Sequence, residues 1–173
     1  MPRFKLFDRK YRGNRVQYVL QSVAAGAAVA CALALFDVVN QPHILASLGA
    51  SALVAFTLPH KDLSAPRHLI GGYLIGVSVG ALAHLLTVIR IEPYILFKME
   101  HLVAAAIAVA VAMFLMAVTN TEHPPAGGIA LGFAINDWTG KTLFLVIAAI
   151  TVLSLIQVAL KPYMIDLVGS PEL

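Results

Sequence analysis

Thr119-Asn120-Thr121-Glu122-His123-Pro124-Pro125-Ala126-Gly127-Gly128 interrupts a chain that is apolar for many residues on either side of it. Residues 101–118 and 129–135 around it carry no Asp, Glu, Lys or Arg. An unpaired backbone group in hydrocarbon costs several kcal/mol, so such a break is tolerated only against protein or a wet cavity. Proline fits the first turn of a helix, because the amide it lacks has no helical partner there. The stretch therefore predicts a helix ending near residue 118 and a short one opening at Pro124. A plain surface loop with a Thr, Asn or Glu cap explains the polar residues but not Ala126-Gly127-Gly128. Those small residues let another group approach the backbone.

Working outward, the same pattern occurs earlier. Pro42 precedes a short block, 44–58, rich in Ala and Ser, with its own small-residue run Ser47-Leu48-Gly49-Ala50-Ser51. Four longer apolar blocks, 16–39, 68–89, 101–118 and 142–160, approach or exceed the roughly 20 residues that cross a bilayer core. The order is long, short, long, given twice. Setting residue i on i+77 places Gly49 on Ala126, Ser51 on Gly128 and Phe56 on Phe133. Short, Gly/Pro-interrupted segments at matching places in two halves point to a transporter's binding site. The expected fold is all-α: a polytopic membrane helix bundle of two repeats, with four long and two short membrane helices.

The composition agrees. Of 173 residues, 60% are hydrophobic and 12% charged, with mean hydropathy +0.84; soluble domains run nearer half and a quarter. This excludes a disordered chain, a coiled coil and a nucleic-acid-binding module, and argues against a water-soluble enzyme. The first-order partner is the lipid bilayer. Cys31 stands alone, so no disulfide framework exists. Six of the twelve Lys and Arg (Arg3, Lys5, Arg9, Lys10, Arg12 and Arg15) precede the first block, which holds that end in the cytoplasm. The expected organisation is a basic cytoplasmic segment (1–15), a transmembrane domain (16–161) and a short C-terminal tail (162–173). The expected location is the cell (inner) membrane, multi-pass. Charge does not choose between re-entrant and crossing short blocks, since either leaves nine basic residues inside. Three passes per half, with the halves inverted, is the preferred arrangement.

Candidate chemistry concentrates at the two short blocks. The start of a helix offers free amides and a positive dipole end, which suit an anion. The expected substrate-binding set is Ser47, Gly49, Ala50, Ser51, His123, Pro124, Pro125, Ala126, Gly127 and Gly128. His84, Glu122 and Arg67 are the candidates for proton or charge coupling. His84 continues the row Gly72, Gly76, Gly80, whose spacing marks a close-packing helix face, so it is expected to point into the bundle. Glu122 is expected to cap or to pair with Arg67 or Lys61. Asp37, Asp137, Trp138 and Tyr163 read as interfacial residues. His43, His60, His68, His84, His101 and His123 show no metal-ligand spacing, and no nucleophile elbow, phosphate loop or dinucleotide fingerprint occurs. No metal, cofactor or enzymatic activity is expected.

His123-Pro124-Pro125-Ala126-Gly127 resembles the signature of the HPP family of integral membrane proteins. Ser47-Leu48-Gly49-Ala50-Ser51-Ala52, Pro59, Pro66-Arg67 and Ile70-Gly71-Gly72 resemble that family's first-half pattern in order. The resemblance runs from about Val16 to Lys161. Two positions differ from the pattern: His68, where Asn is usual, and Tyr73, where His is usual. Because chloroplast and cyanobacterial members are nitrite transporters, the resemblance implies a permease for nitrite or another small inorganic anion. The alternative is a non-transporting membrane sensor or scaffold. Small-residue helix faces make a homo-oligomer plausible.

Overall fold

The computed structural model describes residues 9–35, 41–88 and 94–168. Asp37 and the basic residues Arg3, Lys5 and Arg90 lie outside them. A short basic helix α1 (Arg9–Gly13) precedes six longer ones: α2 (Arg15–Leu35), α3 (Pro42–Thr57), α4 (Pro66–Val88), α5 (Tyr94–Thr119), α6 (Pro124–Ile135) and α7 (Gly140–Leu160). Segments of α2, α4, α5 and α7 are long and apolar enough to cross a membrane, whereas α3 and α6 are shorter apolar helices. At about 1.5 Å per residue, the 12 residues of α6 reach about 18 Å, well short of a hydrocarbon core of about 30 Å. The expected long–short–long order, given twice, is the observed fold. Both short helices have proline in their first turn. Their starts, Pro42 and Pro124, are offset by 82 residues, so the alignment at 77 matched composition rather than helix register.

Successive helices alternate in direction. The first turns of α2 meet the end of α3, where Gln21 Nε2 donates to the Phe56 carbonyl at 2.7 Å. Arg67, at the start of α4, donates to the Thr119 carbonyl at the end of α5, and Gln157, late in α7, donates to the Pro59 carbonyl. The start of α2, the 58–65 turn, the 120–123 turn and the C-terminal segment therefore share one end of the bundle. The turn between α6 and α7 lies at the other. Three segments per half with opposite polarity give inverted halves, the preferred reading. Among the described residues whose side chains are placed, Lys10, Arg15, Lys61, Arg67 and Lys161 sit at the first end and Lys141 at the second.

The seam between α4 and α6 positions everything else. These helices run parallel and in register, and the glycine row faces the α6 backbone. A Cβ on Gly76 would lie 2.5 Å from the Ala126 carbonyl oxygen, and one on Gly80 2.5 Å from that of Ala130. No neighbour here is a flexible side chain that can move aside. Helices in lipid gain little from burying apolar surface, so close backbone approach through small residues is what binds them. Outward faces are correspondingly greasy: Val16, Val19 and Val23 on α2, Ile107 and Phe114 on α5, and Phe144 and Leu155 on α7 are all exposed.

The C-terminal segment is more than a tail. Residues 164–167 lie across the first end, with Leu167 N–H donating to the Thr57 carbonyl and Ile165 N–H to Gln21 Oε1. Gln21 Nε2 and Tyr18 OH return bonds to the Ile165 and Leu167 carbonyls.

Two outcomes follow from this architecture. In a Cys31→Ser background, single cysteines at His60 and Asn120 will be labelled by an impermeant maleimide from one side of the membrane, and a cysteine at Asn136 from the other. A re-entrant α6 would expose residues 120 and 136 to the same side. Gly76→Ala and Gly80→Ala will each cost about 1–3 kcal/mol by overpacking, read as a lower unfolding temperature in detergent. Gly49→Ala, where a Cβ meets nothing within 4 Å, will change stability by less than about 0.5 kcal/mol.

Candidate functional site

The break between α5 and α6 is a built turn. Asn120 has φ 53°, the left-handed conformation that asparagine tolerates best after glycine. Thr121 N–H then donates to the Met116 carbonyl and Asn120 N–H to that of Ala117. This is a Schellman closure of α5, with asparagine in the usual glycine position. Arg67 Nη2 caps the same helix end at the Thr119 carbonyl, 2.8 Å away. The turn lies directly on α4, because a Cβ on Gly71 would collide with Thr121, and one on Gly72 with the His123 Cβ.

The helix starts do not supply the amides expected of them. At α6, Pro124 and Pro125 have no N–H, and the Ala126 N–H is spent on the His123 carbonyl at 2.9 Å. At α3, the helix opens at Pro42, so Ser47 through Ser51 lie in its second and third turns. Only the first four amides of a helix lack helical partners. The amide part of the anion-binding expectation therefore fails at Ser47–Ser51 and at Pro124–Ala126. The two starts also do not converge. The short helices pack antiparallel, with Gly132 against His43 and Gly128 against Ser47, so each N-terminus lies beside the body of the other helix.

What the fold brings together is side chains. Ser51 Oγ, fully buried on α3, lies 2.9 Å from Tyr73 Oη and 2.8 Å from His123 Nε2. Tyr73, on α4, and His123 are also buried, their rings 5.9 Å apart. The chain can run in either sense, and each leaves one buried donor at its end. If Tyr73 O–H donates to Ser51 and Ser51 O–H to His123 Nε2, the histidine carries its proton on Nδ1. In the opposite sense His123 Nε2 donates to Ser51 and Ser51 to Tyr73, and the unpaired proton is that of the Tyr73 hydroxyl. Leaving a buried donor unpaired costs about 1–3 kcal/mol. His123 Nδ1 has no acceptor at hydrogen-bond geometry, although the Leu63 backbone lies beside it. The site therefore carries one donor without a full partner.

His123 is also a wall of a cavity of about 260 Å³, shared with Val109, Met113, Met116, Glu122, Pro124 and Gly127. A Cβ on Gly127 would meet nothing within 4 Å. Glu122 does not pair with Arg67 or Lys61. Its Oε2 lies 3.7 Å from His68 Nδ1, which is 3.0 Å from the Glu122 carbonyl. Of the expected binding set, Ser51, His123, Pro124 and Gly127 meet at this junction, and Ser47 and Gly128 pack against each other nearby. Ala126 is buried under the glycine row, and Pro125 is only partly covered. Gly49 and Ala50 face outward, away from the site. Sequence reading missed Tyr73 and His68, the two positions that differ from the family pattern. The available signal was a phenol and an imidazole in a helix whose other polar residues before His84 are Arg67 and Ser78, since such groups need partners when buried.

His84 lies three turns beyond Gly72 at the opposite end of the seam. It points inward as expected, its Nε2 3.7 Å from Asp137 Oδ1 and its ring 6.0 Å from that of Trp138. Trp138 is no plain interfacial aromatic: it stacks between His84 and Phe133, which in turn meets His43. These rings close the far end. Asp137 and Tyr163 are exposed, as interfacial residues are. Among the described residues, no three His, Cys, Asp or Glu side chains group as a metal site.

A family model for the transmembrane region of HPP proteins matches residues 10–164. The chain belongs to the HPP transmembrane family. Two Dictyostelium discoideum proteins, each described as a transmembrane protein, are similar to this HPP chain. One is 36% identical over 88 residues, covering 51% of this chain and 28% of that protein. The other is 34% identical over 88 residues, covering 51% and 26%. The matched part is thus under a third of the length of these relatives. No solved structure matches the chain.

In this HPP chain the tripeptide has separate jobs: His123 ends the buried hydrogen-bond chain, and the prolines start α6 without exposing amides. Ser51→Ala strands both Tyr73 Oη and His123 Nε2, at about 1–3 kcal/mol for each group. Tyr73→Phe removes one bond, at about 1 kcal/mol. Thermal unfolding in detergent will therefore rank Ser51→Ala as the more damaging; the reverse order would show that the chain is not bonded through Ser51.

Proposed function

We propose that this protein transports a small inorganic anion, with nitrite the first candidate, by way of the cavity at His123. The observation that carries this reading is a buried histidine, hydrogen-bonded to Ser51 and through it linked to Tyr73, in the wall of a cavity lined mainly by apolar groups. An imidazole in apolar surroundings beside a helix start favours an anion over a cation. The α6 dipole adds roughly half a positive charge at the same place, and Arg67 stands at that end of the bundle. Side chains, rather than helix amides, hold the ion in this reading. Binding without a fully buried cation suits an ion that must also leave. The site is the cell membrane, with the basic end cytoplasmic, since most of the described Lys and Arg gather there.

Purified protein in proteoliposomes, offered nitrite, nitrate and formate in turn, tests this. Nitrite flux above that of empty vesicles is the expected result. Gly127→Val, which fills the cavity from an open position, will abolish it while the protein still inserts and elutes as the wild type does. Flux unchanged in Gly127→Val moves the route elsewhere, and no flux of any of the three anions favours a non-transporting module.

A further inference from the structure

A second feature is separate from the His123 cavity, with which it shares no lining residue. α2 and α3 pack antiparallel but do not close on each other. Between them runs a groove of about 370 Å³, walled by Ala25, Gly26 and Val29 on α2 and by Gly49, Ala52 and Leu53 on α3. The space is real on both sides, because a Cβ on either Gly26 or Gly49 would meet nothing within 4 Å. Toward the basic end the walls become polar, with Gln21, Ser22 and Thr57, and Leu167 of the C-terminal segment closes the floor.

Beyond the polar end of the groove, along α2, lies positive charge. Arg15 precedes Ser22 by seven residues, two turns of α2, so both lie on one helix face about 10 Å apart. At that level the chain turns from α1 into α2, leaving a recess of about 270 Å³ lined by Gly13, Asn14, Arg15, Val16 and Gln17. Arg15 is exposed, its guanidinium 5.9 Å from the centre of the Tyr11 ring. Arg9, Lys10 and Arg12 precede it in sequence. Clustered basic residues just outside a membrane helix attract anionic head groups. An apolar groove with a polar end, followed two helical turns on by an exposed arginine, matches one kind of molecule.

The geometry points to a bound phospholipid with a net negative head group, its acyl chain in the α2–α3 groove and its phosphate at Arg15. Charge complementarity favours this occupant over a second copy of the chain, whose corresponding end is equally basic. The site is separate from the proposed ion route and stands whether or not that route exists.

Native mass spectrometry of the full chain, delipidated in detergent and titrated with phosphatidylglycerol or phosphatidylcholine, tests the assignment. Wild type will retain one phosphatidylglycerol in preference to phosphatidylcholine. Gly26→Leu or Gly49→Leu, each filling the groove at an open position, will weaken that retention about tenfold or more, as will Arg15→Gln. Loss of one charge-assisted hydrogen bond is of that size. The Arg15 contribution will fade with added salt. Unliganded variants that elute and melt as wild type exclude misfolding as the cause. Equal retention of the two lipids, or unchanged retention in Arg15→Gln, overturns the proposal. So does a dimer in Cys31→Ser/Gly26→Cys that forms a disulfide and excludes lipid, which would give the groove to a second copy.

Discussion

The approach of the α4 glycine row to the α6 backbone is the contact on which the rest depends. In water, a helix as short as α6 would be held by its apolar face. In lipid that term nearly vanishes, because the tails are as apolar as the side chains. What remains is dispersion and polar contact at short range, and Gly72, Gly76 and Gly80 make that range possible. Their row fixes α6 parallel to α4 and in register. That register sets His123 on Gly72 at one end and leaves His84 beside Asp137 and Trp138 at the other.

The polar cluster is a consequence of that placement. A turn carrying Thr, Glu and His inside a membrane protein must have its groups satisfied, and here three devices do so. Asn120 closes α5 through its left-handed backbone, Arg67 caps the remaining carbonyl, and Ser51 and Tyr73 take up the imidazole. Within this cluster His123 Nδ1 is buried with no partner at hydrogen-bond geometry. The two prolines serve the same end, since they remove first-turn donors that would have no helical partner. The signature His123-Pro124-Pro125 is thus first a solution to a backbone problem and only then a candidate binding element.

Much of this was legible in the residues. The apolar blocks, the two prolines and the glycine spacing gave the helix order, the half-helices, the packing face of α4 and the inward direction of His84, because each rests on local chemistry or simple periodicity. Where reading failed, the missing information was three-dimensional. Ser47–Ser51 looked like a helix start because its composition matched Ala126–Gly128, yet Pro42 had already begun the helix. Charge and position offer Glu122 a cap or a pairing with Arg67 or Lys61, but Arg67 caps a helix end and His68 lies beside Glu122. Tyr73 is invisible as a partner for Ser51 until α3 and α4 are set side by side.

By itself, then, the sequence determined that the chain lives in lipid, that two of its six membrane helices are too short, and that polar groups interrupt it at one place above all. Those are properties of composition and of residues a few positions apart. The tertiary structure alone decided which face of each short helix meets the core, that the two helix starts diverge, and that Ser51, Tyr73 and His123 form one chain. Contacts between residues 22 and 72 positions apart depend on how helices cross. That crossing is set by the glycine–carbonyl seam, whose closeness no single helix specifies on its own.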